Sequence, residues 1–159
     1  MSETKPTNPK DAVGSQKVPM HTVPLRVLLE MGLGMLDGGC KYGTHNYREA
    51  GVRGSVYFDA ACRHLFAWWE GEEIDPDSGI HHIVKAMTTL AVLRDSQHMG
   101  NWVDDRPPRL PGGAGVAELN AFAAELLRRY PSPAAPFTHI KGVLSESPAE
   151  PEACFEENP

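Results

Sequence analysis

Between Leu25 and Gln97 the apolar residues recur three times at helical spacing, and each run is interrupted by glycine or proline. A run of period 3.6 can bury its stripe only against another element, so three in succession without a strong strand signal predict an all-α bundle. The first helix is expected from Pro24, a good first helical residue, with Leu25, Leu28, Leu29, Gly32 and Leu36 as its core stripe. Gly38 and Gly39 should stop it, and Glu30, Gly34 and Asp37 share another face. The second should start at Ser55 as N-cap and end near Trp69, burying Phe58, Ala61, Cys62, Leu65 and Trp69. Asp59, Arg63, Phe66 and Glu70 occupy its neighbouring stripe. The third should run from about Gly79 to Gln97, capped by Asp77 or Ser78, with Ile80, Ile83, Val84, Met87, Leu90 and Ala91 inward. His82 lies on the flank of that stripe, which points it toward whatever the second helix faces.

The first two dozen residues hold Pro6, Pro9, Pro19 and Pro24, and read as an irregular N-terminal arm, 1–23. An amphipathic fourth helix is expected from about Val116 to Tyr130, after a linker, RPPRLPGGAG, giving a helical domain over 24–130. From Pro131 the composition is rich in Pro, Ser and Glu, so 131–159 is expected to be a disordered acidic C-terminal tail. The net charge of −6 provides no basic footprint for duplex nucleic acid. Cys40, Cys62 and Cys154 are odd in number and scattered, which argues for a reducing compartment and against a disulfide framework or zinc ribbon. With neither leader nor apolar span in the sequence, a soluble cytoplasmic protein is expected.

The chemistry is placed where the acids crowd. Asp59, Glu70, Glu72, Glu73, Asp75 and Asp77 fall within nineteen positions, beside His64, His81 and His82. Clustered carboxylates repel unless a cation neutralises them, and Mg²⁺ or Mn²⁺ prefers such oxygen ligands while leaving positions for phosphate oxygens. The ligand expected is therefore a polyphosphate. Calcium is disfavoured because the EF-hand spacing is absent, and zinc because His81 and His82 are adjacent and the thiols scattered. The candidate metal ligands are Glu72, Asp75 and Asp77 in the turn with Glu30 from the first helix, and Glu73 is a ligand or the base for the water. Solvated alternatives stand beside these: Asp77 as a helix cap, Glu30 and Glu70 as exposed acids, Asp59 paired with Arg63.

His64 and His82 sit beside core stripes, where an imidazole needs a partner; either one can hold a phosphate oxygen or orient a metal-bound carboxylate. For a triphosphate tail the candidate cations are Lys10, Lys17, Lys41, Arg48 and Arg63, with Lys41 and Arg63 foremost. Asn8 and Asn46 have amides suited to a purine edge, and Tyr42 or Tyr47 can stack on a base; turn chemistry in polar loops is the alternative for all four.

Three blocks then carry a resemblance: NPKDAVGSQKVP, LLEMGLGMLDGGCKYGTHNYR and ACRHLFAWWEGEEIDPDSGIHHIVKAMTTLAVL. In this order, over roughly residues 8 to 97, the chain resembles the phage dATP/dGTP diphosphohydrolase family, a branch of the MazG-like all-α NTP pyrophosphohydrolases. The resemblance implies a MazG-like helical bundle that forms a homo-oligomer, a dimer or tetramer. It also implies Mg²⁺ or Mn²⁺ as cofactor, about two or three ions, and cleavage of a purine deoxynucleoside triphosphate to the monophosphate and pyrophosphate. The substrate expected first is dGTP, with dATP or GTP beside it. The superfamily's acid pairs are departed from, because His82 and Lys85 stand where acids are expected on the third helix. Two other readings compete. An HD-type dNTP triphosphohydrolase would need a His-Asp dipeptide, which none of the seven histidines forms, and a non-catalytic helical protein would use Trp68, Trp69 and Trp102 to bind a partner.

Overall fold

A computed structural model describes residues 8–14 and 16–138; the expected tail therefore lies outside the described residues from 139 onward, as does the arm before Asn8. The chain divides into two compact units, 1–107 and 108–159. The first contains helices α1 (Pro9–Gly14), α2 (Leu25–Tyr42), α3 (Asn46–Ala50), α4 (Gly54–Trp69) and α5 (His82–Met99). Two short strands, β1 (Val52–Arg53) and β2 (Trp102–Val103), pair in parallel, Val52 opposite Trp102. The described part of the second unit holds one helix, α6 (Val116–Arg129), begun at Gly115 in the left-handed region with φ 64°. The all-α class holds.

α5 is the axis of the first unit, packing against α2, α3 and α4. Its buried residues are His82, Val84, Ala86, Thr88 and Ser96, which lie on more than one face. It starts later than expected. Residues 79–81 complete the preceding loop, in which Asp75 N–H donates to Ile80 O (2.9 Å) and Gly79 N–H to Asp75 O (2.8 Å). The cap is His81, whose Nδ1 accepts from Ile83 N–H at 3.1 Å, and not Asp77 or Ser78. α4 is capped from a distance: Asp105 Oδ1 accepts from Ser55 N–H (2.8 Å) and Oδ2 from Ser55 Oγ (2.5 Å). The two hydrogen bonds hold the Asp105 carboxyl below its ordinary range.

Two sequence expectations fail in α2. Gly38 and Gly39 do not stop the helix, which continues to Tyr42 and ends where Gly43 takes φ 94°. Each glycine costs about 1 kcal/mol relative to alanine in a helix, an amount that tertiary packing can override. The buried side is also the other one. Leu25, Leu28, Leu29 and Leu36 are exposed, while Gly34 is buried against α5 and Glu30 and Asp37 are half-buried. The stripe of α4 behaves similarly: Ala61 is buried, but Phe58, Leu65 and Trp69 are exposed, Trp69 to 77 %. On α5, Leu90 is exposed as well. Among the described residues, two apolar helix faces are therefore left exposed.

Gly34 sets how close α2 and α5 come. A Cβ built there would collide with Thr88 Oγ1 and lie 3.1 Å from its Cβ and 3.2 Å from its Cγ2, so no rotation of Thr88 clears it. Thr88 is itself tied to its own helix by a hydrogen bond from Oγ1 to Val84 O, 2.8 Å. Gly34→Ala is expected to lower stability by about 1–3 kcal/mol, the usual range for overpacking. Urea unfolding checks this, and an unchanged midpoint would contradict the crossing described.

Candidate active site

Beside the α2–α5 crossing the first unit opens into a cavity of about 620 Å³, within the usual size for small-molecule sites. Its walls come from α2, α3, α4, α5 and the loop at Gly43 to His45. Apolar side chains Met35, Val56 and Val92 share it with Tyr42, Tyr47 and Tyr57, while Asp37, Lys41, His64 and Lys85 supply the charge and the imidazole. Burial pushes the Tyr57 phenol up, so it stays protonated as a donor.

The electrostatic centre is Lys85. Its ammonium lies 2.6 Å from Asp37 Oδ2 and 3.8 Å from Asp75 Oδ2, joining α2, α5 and the acidic loop. Lys41, one turn after Asp37 on α2, adds a contact of 3.1 Å from the solvent side. The hydrogen bond from Lys85 holds the Asp37 carboxyl below its ordinary range against the opposing effect of burial, and Lys41 contributes in the same direction. For Asp75 burial works upward. The Ser78 hydroxyl (2.6 Å), the Asp77 N–H and Lys85 outweigh it, and the net direction is down.

His64 of α4 meets His82 of α5 through an Nδ1 to Nδ1 hydrogen bond of 2.8 Å, with the rings 5.1 Å apart. The flank expected for His82 is thus the one it occupies. Burial pushes the His64 imidazole down; the Asp75 charge opposes this, and His82, Lys85 and Arg63 add to it. His64 is therefore neutral at neutral pH.

Of the expected residues, Lys41, Tyr42, Asn46, Tyr47 and His64 line the cavity, and His82 stands directly behind His64. The others are elsewhere. Asn8 caps α1, its Oδ1 accepting from Lys10 N–H at 3.0 Å, and both residues are exposed. Arg63 is exposed on α4. Glu30 pairs with Arg26 (2.6 Å), Glu73 with His81 (2.7 Å), and Glu72 approaches His82 Nε2 at 3.4 Å. Of the crowded acids, Glu73 and Glu72 thus face histidines, and Asp75 faces the Lys85 ammonium. Among the described residues no three His, Cys, Asp or Glu side chains are grouped to hold an ion, so Glu30, Glu72, Asp75 and Asp77 do not form a preassembled cage. Asp37 and Asp75 are instead the two carboxylates brought together on Lys85.

Sequence reasoning assigned no role to Asp37, Lys85 or Tyr57. The spacing of Asp37 and Lys41 was legible as an i,i+4 pair. The tie from Asp37 to Lys85 spans 48 positions and has no local signature.

A family model described as "dATP/dGTP diphosphohydrolase, N-terminal" matches residues 7–106. That span is close to the first compact unit, 1–107. No curated protein and no solved structure matches the chain.

If Lys85 is what keeps Asp37 ionised, Lys85→Met should raise the Asp37 pKa, as followed by carboxyl-carbon NMR. The sign for stability follows from the lowered value. The contribution of Asp37 is full above the unfolded pKa of about 3.9 and is lost as pH falls through the folded one. In Lys85→Met the contribution of Asp37 should be smaller, and its loss should be complete at a higher pH than in the wild type.

Proposed function

Since the chain belongs to the dATP/dGTP diphosphohydrolase family, we propose that this cavity binds a purine deoxynucleoside triphosphate and that the enzyme cleaves it to the monophosphate and pyrophosphate. dGTP is the substrate proposed first, with dATP or GTP beside it. The observation that carries this reading is one cavity that joins three tyrosines and aliphatic side chains to two lysines and a neutral imidazole. The tyrosines and Asn46 suit the base, through stacking and edge hydrogen bonds. Lys41 and Lys85 suit the phosphates.

The charge balance argues for a divalent cation. Asp37 and Asp75 offset Lys41 and Lys85, so little net positive charge remains for a polyanion. Asp37 and Asp75 are the carboxylates proposed to hold Mg²⁺ or Mn²⁺ entering with the triphosphate. Such an ion offsets phosphate charge and lowers the pKa of a bound water. Lys85 is proposed to leave Asp37 in part when phosphate oxygens reach it, while His64 faces the water.

We also propose a homo-oligomer, because the apolar faces of α2 and α4 are too extensive to leave in water. α6 adds Leu119 and Phe122, both exposed. Described helices offer no alternative in lipid, since none is long and apolar enough to cross a membrane.

Three outcomes follow. Purified protein should release pyrophosphate from a purine dNTP in the presence of Mg²⁺ or Mn²⁺ and stop in EDTA; tripolyphosphate as product would instead support the triphosphohydrolase reading. Asp75→Asn should lower turnover by orders of magnitude with helicity unchanged; retention of more than about a tenth of the rate would mean that less than roughly 1.4 kcal/mol was at stake. Light scattering should give a mass that is a multiple of 17.4 kDa, and a fully active monomer at micromolar concentration would refute the assembly.

A further inference from the structure

His82 is only 4 % exposed, and its Nδ1 is engaged with His64. Its other nitrogen, Nε2, is buried without a hydrogen-bond partner, and the Glu72 carboxylate stands 3.4 Å away, near enough to attract though not aligned to bond. A hydrogen bond between two Nδ1 atoms needs one donor and one acceptor, so the neutral pair has two arrangements. With the proton of His82 on Nδ1, the bare lone pair of Nε2 faces a carboxylate, two acceptors opposed at a buried atom. With the proton on Nε2, the N–H faces the carboxylate, and Nδ1 is left bare to accept from His64 Nδ1–H. Electrostatics selects the second. His64 then has a single free nitrogen, a bare Nε2, on a residue that lines the cavity.

We propose that Glu72 and His82 are positioning residues that hold His64 in its Nδ1–H form, so that His64 Nε2 is the base for the attacking water. The proposal rests on the hydrolase reading above. In the step it serves, the water oxygen forms a bond to the α-phosphorus and one water proton passes to His64 Nε2. The electron pair of the bond from the α-phosphorus to its bridging oxygen leaves with pyrophosphate. The charge gained by His64 faces Asp75 of the loop and, through His82, Glu72. Lys85 of α5 and Arg63 of α4 oppose it. Glu73 is excluded from this role by its position: it pairs with His81 and is absent from the cavity wall.

The order of protons is read directly by long-range ¹H–¹⁵N NMR on the full chain labelled at histidine, without nucleotide, above the ordinary imidazole pKa of about 6.5. His64→Gln and His82→Gln assign the signals. The expected result is His64 as Nδ1–H and His82 as Nε2–H; His64 found as Nε2–H overturns the proposal. Glu72 is half exposed, so Glu72→Lys is tolerable, and its ammonium offers a proton to His82 Nε2. Both tautomers should reverse, kcat should fall about a hundredfold or more, and KM should change little. Glu72→Asp should keep the wild-type order and most of kcat. Reversed tautomers with kcat unchanged would overturn the role of His64 as base. Because the tautomers are read without substrate, their failure leaves pyrophosphate release standing, whereas an absence of pyrophosphate release overturns the hydrolase reading instead.

Discussion

The crossing of α2 over α5 at Gly34 and Thr88 is the constraint on which the site depends. Only hydrogen at position 34 lets α2 approach Thr88 this closely, and about one turn after Gly34 on α2 and one turn before Thr88 on α5 the approach brings Asp37 within 2.6 Å of Lys85. A side chain at the crossing would separate the helices, stretch this ion pair, and shift the cavity wall that both helices form. Packing at a glycine thus governs the placement of the charged residues of the cavity.

Lys85 then organises the charge. Its hydrogen bond holds the Asp37 carboxyl below its ordinary range, and its charge adds to the Ser78 hydroxyl and the Asp77 N–H in doing the same for Asp75. The result is a site in which acids and lysines are paired with one another. Under the proposed function, substrate binding there is an exchange of partners rather than the filling of a positive pocket, and that exchange is how an acidic protein would accept a polyanion.

Exposure on the two flanking helices has a related cause. α5 is surrounded by α2, α3 and α4 and uses small or polar residues, Ala86, Thr88 and Ser96, as contact points. Small contacts bring helices close but bury little apolar area per residue, so the large side chains of α2 and α4 are directed outward. The leucines and tryptophans of α2 and α4 therefore describe a surface, and small residues make the close contacts of α5.

The helical class, the location of α4 and α6 to within a residue or two, and the family blocks were all legible in the sequence, because periodicity and motif are local properties of the chain. The meeting of His82 with the α4 face was legible too, since a flank position one helix away has few places to point. The inward face of α2 was not: Leu25, Leu28, Leu29 and Leu36 form the better apolar stripe, and a hydrophobic pattern does not say whether its cover is the same chain. Nor did the sequence tell which side chains would face the acids, because Lys85 with Asp37 and His82 with Glu72 become neighbours only when helices and loop pack. The sequence by itself determined where helices form and which residue types are available. The tertiary structure decided which stripe is buried and which charges are paired, because both are fixed by separations between elements that no local pattern encodes.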